Sequence, residues 1–343
     1  MPYSKDFSQI FLNNVVKEMA LYFKKYGKLS VDSIFFGGGT PNVLPKKLFS
    51  ALFSKLHSYF NVVDDVEITM EMNPGIHSKS KLDFFKHLGI NRVSIGVQSF
   101  KNHVLTDYGR NHTVDETKGF IEDVLNVGFK NISADIIFGH SDHNMSDLDY
   151  SLKVLLDYKF NHLSLYGLTI EKHTPFYEQG LTIDDDFQAG LYSFIQDTLK
   201  ISGYNQYEVS NFSIPGYESR HNIKYWTFKP TIGLGAGAHS YFMGYRYSNN
   251  NDFRYYIDNL DVILPNKKNI QLDIYEYLAV RLRYKSPIYF NFLKDLFGVS
   301  KVKDIKKKLI EINRSGYIDM NTEFFTINEN GFALLDEVLC HLV

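Results

Sequence analysis

Three glycines in a row, Gly37, Gly38 and Gly39, end the apolar run VDSIFF and are followed by Thr40 and Pro41. Residues without a Cβ let main-chain N–H and C=O groups approach a ligand closely, and Pro41 fixes the exit. A tight strand-to-helix turn uses the same residues, and the two readings weigh equally. Neither G-x-G-x-x-G nor G-x-x-x-x-G-K-[ST] spacing is present, which argues against dinucleotide or P-loop chemistry. Four further stretches, 71–75, 98–100, 135–139 and 166–171, also place polar or glycine residues where an apolar run stops. Singly each reads as an ordinary strand end, but five in register point to a ligand-binding rim. The stretch 203–241 is the densest in aromatic and glycine residues. There Tyr204, Tyr207, Phe212, Tyr217, Tyr225, Trp226 and Phe228 are available to line a flat apolar pocket, and His221 and His239 offer imidazoles. A lone histidine is more often a hydrogen-bonded or surface residue than a ligand. Cys340 is the one cysteine, so these residues form no intrachain disulfide and no all-cysteine metal site.

The elements that would position these residues alternate. A helix over 7–26, stopped by Gly27, precedes an apolar strand ending at the glycines. That strand lacks polar alternation, which predicts burial on both faces. Helices over 45–60, 79–88, 114–127 and 148–158 then alternate with strands over 66–72, 92–97, 132–137 and 162–166, and a further helix covers 187–201. This rhythm predicts right-handed crossovers and a parallel sheet, as an open doubly wound sheet or as all or part of a barrel; both bind ligands at the carboxyl ends of the strands. Past residue 251, three helices over 272–283, 290–297 and 302–314, two short strands over 316–319 and 324–327, and a last helix from Asn328 suggest a winged-helix-like unit. The expected organisation is therefore 1–202, 203–250 and 251–343.

The 343 residues carry 37 basic and 39 acidic side chains, which leaves no global field favouring nucleic acid or an anionic membrane. The lysines at 301, 303, 306, 307 and 308 read as a solvated helix face in preference to a nucleic-acid contact. No secretory signal and no apolar run of membrane-spanning length is present, which makes a cytoplasmic location the default.

In this order FFGGGTPNVL, EITMEMNPG, GINRVSIGVQSF, GRNHT, SADIIFG, YGLTIEKHT, GYNQYEVSNF, GYESRHNIKYW and GLGAGAHSY resemble the radical SAM proteins related to oxygen-independent coproporphyrinogen III oxidase, and within them the HemW type of heme chaperone. The resemblance runs from about residue 11 to the C-terminus. It implies an α/β fold, a partial (β/α) barrel with S-adenosylmethionine across the strand ends. Gly38, Gly39 and Thr40 would hold the methionyl end, Glu71 the ribose hydroxyls, Arg110 the methionyl carboxylate, and Gln98 and Asp135 the remaining family contacts. His221, Asn222, Tyr225 and Trp226 match the H-N-x-x-Y-W segment associated with heme, for which histidine is the ordinary axial ligand.

Two departures stand out. The family's G-L-P after the strand-end aspartate is Gly139, His140, Ser141 here. The family also opens with C-x-x-x-C-x-x-C, whose thiolates hold a [4Fe-4S] cluster, and this sequence has no such motif. Met1, Pro2, Tyr3 and Ser4 resemble a decayed C-P-Y-C, but aligning the first helix puts the last cysteine upstream of Met1, so a shortened start is the expectation. The leading functional expectation is a heme chaperone that passes heme to a recipient protein, membrane-associated or not, with S-adenosylmethionine and the cluster as regulatory or structural cofactors. A transfer role thus ranks above a catalytic one. The alternatives are a coproporphyrinogen III oxidase acting by radical oxidative decarboxylation, and a cluster-less scaffold that binds only partners.

Overall fold

Apolar residues at helical spacing produce α1 (Lys5–Tyr26), and Gly27, in the left-handed region, turns the chain into β1 (Ser30–Phe36). The computed structural model describes residues 5–75, 78–140, 143–260 and 272–342, so the comparison made for Met1, Pro2, Tyr3 and Ser4, and Ser141 of the altered loop, lie outside the described residues. The expected alternation continues through α2 (Lys46–Tyr59), β2 (Asn61–Met72), α3 (Lys79–Leu88), β3 (Arg92–Gln98), α4 (Asn102–Asp107), α5 (Val114–Val127), β4 (Asn131–Phe138), α6 (Met145–Tyr158) and β5 (His162–Gly167). Local chemistry sets the boundaries. Capping boxes of Thr113 with Glu116 and of Asn144 with Asp147 start α5 and α6, and left-handed Gly89 and Gly128 end α3 and α5.

After α7 (Pro175–Glu178) and α8 (Asp185–Ile201), β6 (Asn205–Gln206) and β7 (Asn211–Ser213) complete a seven-stranded sheet in the order β1-β2-β3-β4-β5-β7-β6. The first five strands are parallel and β7 is antiparallel to β5. The sheet curls into a half-barrel, which settles the choice between open sheet and barrel. Its outer face carries Ile68, Met70, Val93, Ile95, Ile132 and Leu163, packed with helix residues such as Phe49, Phe85, Phe120, Leu152 and Ile195 in one buried cluster. The inner face alternates with it and is polar: Glu67, Thr69, Arg92, Ser94, Ser133, His162 and Ser164 are all buried there. The expectation that the first strand is buried on both faces is corrected: β1 is the edge strand, and its residues are half-buried or exposed. Its long apolar residues instead meet α1 and α2, where Leu12, Val15, Met19, Leu52 and Leu56 form a second buried cluster.

Beyond the sheet come α9 (Arg220–Trp226), the antiparallel hairpin of β8 (His239–Phe242) and β9 (Tyr245–Ser248), and α10 (Phe253–Asp258). The remainder holds α11 (Ile274–Arg281), β10 (Ile288–Tyr289), α12 (Phe290–Phe297), α13 (Val299–Arg314), β11 (Ile318–Met320), β12 (Phe324–Ile327), α14 (Glu329–Ala333) and α15 (Leu335–Leu342). The three strands pair in the order β10-β12-β11, around a core of its own that includes Leu278, Leu293, Leu309, Phe325 and Val338. The single last helix expected from Asn328 is two helices, interrupted at Leu334. Four of the five basic-cluster lysines meet this chain: Lys301 pairs with Asp273, Lys307 with Asp304, Lys306 lies over the Phe290 ring, and Lys308 donates to the Leu342 carbonyl over the Tyr275 ring. No helix among the described residues is long and apolar enough to cross a membrane.

Candidate functional site

The carboxyl ends of β1 to β4 converge. Glu71, at the end of β2, accepts a hydrogen bond from the Gly38 main-chain N–H at 3.1 Å and a second from Gly39. Thr40 is joined to the same strand end, its Oγ1 accepting from Asn73 Nδ2 at 2.8 Å. A Cβ on Gly37 would collide with the Glu71 carboxylate at 2.6 Å, whereas one on Gly38 or Gly39 would meet nothing within 4 Å. The glycine loop therefore rests on Glu71 at its start and is open on its other side. Gln98 ends β3 in the left-handed region, and a Cβ on Gly96 would lie 3.0 Å from both its amide nitrogen and Asn73 Oδ1.

Asp135, in the middle of β4, accepts from Ser94 Oγ at 3.1 and 3.2 Å. Burial raises its pKa, against the hydrogen bonds of Ser164 and Ser94 and the positive charges of Arg92 and Arg110. Burial also raises Glu71, and the charge of Asp135 adds to that rise. Arg110 is lowered by burial while Asp135 opposes the shift. These mutual effects put Glu71, Asp135 and Arg110 within one electrostatic neighbourhood, next to the glycine loop. All seven residues singled out for a cofactor, Gly38, Gly39, Thr40, Glu71, Gln98, Arg110 and Asp135, thus surround one rim of the half-barrel. The open glycines, two carboxylates and a guanidinium are the donor and acceptor set that a zwitterionic adenosyl ligand requires, so these residues fit S-adenosylmethionine.

The second group lies on α9, which crosses toward β1 and β2. Glu67, buried on the inner face of β2, accepts the main-chain N–H groups of Arg220 at 3.0 Å and His221 at 2.9 Å, and Ser219 caps the helix. A carboxylate on those first N–H groups suits the positive end of a helix. His221 stacks on Phe35 with ring centroids 5.2 Å apart; its Nδ1 lies 3.0 Å from Ser33 Oγ and its Nε2 3.2 Å from the Tyr225 hydroxyl. Burial, reinforced by Lys224 and Arg92, pushes its pKa down to about 4, so the imidazole is neutral at neutral pH. Asn222 stands on the same helix, its N–H donating to Ser219 Oγ. Of the aromatic residues expected to line a pocket, Tyr225, Trp226 and Phe228 do line one, whereas Tyr204, Tyr207 and Phe212 are buried, Tyr204 and Phe212 in the main apolar core.

Sequence reasoning passes over Ser94 and Glu67, and takes Asn73 only as part of the strand-end stretch 71–75. The signal was present: small or polar residues alternate with apolar ones in RVSIGVQ and VEITMEM, the period of a strand with one polar face. The family's cluster does not fit the residues here, because Cys340 is the sole cysteine and is exposed at the far end of the chain, and no group of metal-ligating side chains occurs among the described residues.

The radical SAM superfamily model matches residues 10–155, the stretch that builds the rim. The chain is 30% identical to the heme chaperone HemW of Lactococcus lactis over 98% of its length and 92% of that protein's. It is 34% identical to the heme chaperone HemW of Bacillus subtilis, over 72% and 67% of the two chains. Its fold is similar to that of coproporphyrinogen III oxidase (HemN) from Escherichia coli, with a TM-score of 0.82 and 17% identity over 99% of this chain and 84% of that one. By these matches the chain belongs to the radical SAM superfamily and, within it, to the HemW family.

Proposed function

We propose that this chain is a heme chaperone that binds heme beside α9 and hands it to a recipient protein in the cytoplasm or at a membrane. The observation that carries the reading is His221: a half-buried imidazole kept neutral, the form that ligates iron, on the helix whose sequence matches the heme-associated segment. The Tyr225 hydroxyl occupies Nε2, so iron binding at that nitrogen requires Tyr225 to turn away. Glu67 fixes the helix end and Ser33 the other ring nitrogen, which would hold the imidazole in place during the exchange. Asn222, one turn from Tyr225, belongs to the same proposed segment.

S-adenosylmethionine would be held at the rim by Gly38, Gly39 and Thr40, by the carboxylates of Glu71 and Asp135, and by Gln98 and Arg110. When bound it supplies a sulfonium; no step of heme transfer is assigned to it. The unit built from residues 272–342, with its own core and pairing, is the part we assign to meeting a recipient. Titration of hemin into the purified chain should give a saturable Soret change, weakened at least tenfold in His221→Ala, and the loaded chain should pass heme to an apo-haemoprotein. A parent chain with no Soret change at micromolar hemin would overturn the reading.

A further inference from the structure

A cavity of about 620 Å³ lies between α9, the β8–β9 hairpin and α11, inside the roughly 300–1,000 Å³ range of small-molecule sites. None of the seven rim residues lines it. Trp226 and Phe228 from one side, with Tyr241 and Tyr247 from the hairpin, give it aromatic walls. Lys224 and Arg246 bring positive charge. Arg246 and its present partner Glu276 have side chains 52% and 40% exposed, a pair of the kind that exchanges at small cost, whereas Lys224 is 12% exposed beside an Asp32 that is 63% exposed. Two of the lining residues carry a buried polar atom without a hydrogen-bond partner, Trp226 Nε1 and Thr231 Oγ1, which lie in the cavity wall. Buried indole and hydroxyl groups ordinarily find partners, so a ligand that supplies acceptors would satisfy these two where it opens the wall.

Aromatic walls match a flat, largely apolar ring, and two cations on the lining, Arg246 in an exchangeable pair, match carboxylates at its rim. We propose that this cavity is the seat of a planar tetrapyrrole dicarboxylate, its carboxylates reaching Lys224 and Arg246, at a place apart from the adenosyl rim. The inference rests on the heme reading above and adds where the macrocycle lies and which groups recognise it. Tyr225 lines the cavity and also holds His221 Nε2, so the turn that frees the imidazole occurs at the cavity wall. Because the ring and its carboxylates are recognised by side chains of this chain alone, seating requires neither S-adenosylmethionine nor iron.

Metal-free protoporphyrin IX tests this, since it cannot use an axial ligand. Trp226 is the only tryptophan of the 343 residues, so its emission follows the cavity. Protoporphyrin IX should quench it saturably with one site per chain, unchanged by S-adenosylmethionine. Arg246→Gln, at an exposed position expected to leave folding intact, and Thr231→Val should each weaken binding about fivefold, and esterifying both carboxylates should weaken it about tenfold. Two outcomes overturn the seat while leaving the heme reading in place: hemin binding without protoporphyrin IX binding, or equal porphyrin affinity in parent and variants while His221→Ala still loses hemin. If the parent binds neither hemin nor protoporphyrin IX, the heme reading fails and the seat with it.

Discussion

Glu71 is pulled two ways. Burial and the nearby charge of Asp135 favour its neutral form, while the Gly38 and Gly39 N–H groups favour the carboxylate. Its two oxygens hold the glycine loop, and they would also be the acceptors for a hydroxyl-bearing ligand above it. Glu71→Gln keeps the size but loses the charge, and a hydrogen bond to a charged group contributes about 1.5–3 kcal/mol. Binding of S-adenosylmethionine, read by equilibrium dialysis, should accordingly fall at least tenfold in Glu71→Gln, with the Gly38 loop loosened as well. Equal retention of the ligand by parent and variant would remove Glu71 from the binding set.

The rhythm of strands and helices was legible because each helix carries its own punctuation, such as Thr113 and Glu116 at one start and Gly128 at its end. The boundaries of α3 and α5 agree with those read from spacing alone. The rim was legible as a row of strand ends in register, but the role of each rim residue only through resemblance, since nothing local distinguishes Glu71 or Asp135 from an ordinary strand end. What spacing could not reveal is which strand lies at an edge: IFF looks the same whether its outer face meets helices or a sheet, and β1 depends on α1 and α2 for cover. Nor could it pair Glu67 with α9, because the two are joined across 154 positions. Glu67→Ala would leave two helix-end N–H groups without their carboxylate, at a cost of about 2–3 kcal/mol. A urea midpoint shift of that size, with Glu67→Gln falling between, is the expected result; a variant as stable as the parent would show that α9 is held by its other contacts, such as Arg220 with Asp65.

At the scale of the whole molecule, the sheet and the C-terminal unit meet along a seam of main-chain bonds: Val209 N–H to Arg283 O at 3.0 Å and Lys285 N–H to Tyr207 O at 2.8 Å, on either side of Glu208. Glu208 is 1% exposed, and its Oε2 has no partner. Burial pushes its pKa from 4.5 up to about 8, only partly opposed by the Ser210 N–H, Asn211 and the charge of Arg283. The folded chain therefore keeps this proton over a range where the unfolded chain has lost it. Stability from the neutral carboxyl is fully present below pH 4.5 and is lost as pH rises toward 8, by about 1.4 kcal/mol per pH unit, with no further loss above that point. Glu208→Gln has no proton to lose. The stability of the variant relative to the parent, followed by thermal or urea unfolding, should rise between pH 5 and 8 and then level. If parent and variant stay parallel across that range, the seam does not hold Glu208 neutral, and the two units are joined without a pH-sensitive contact at this position.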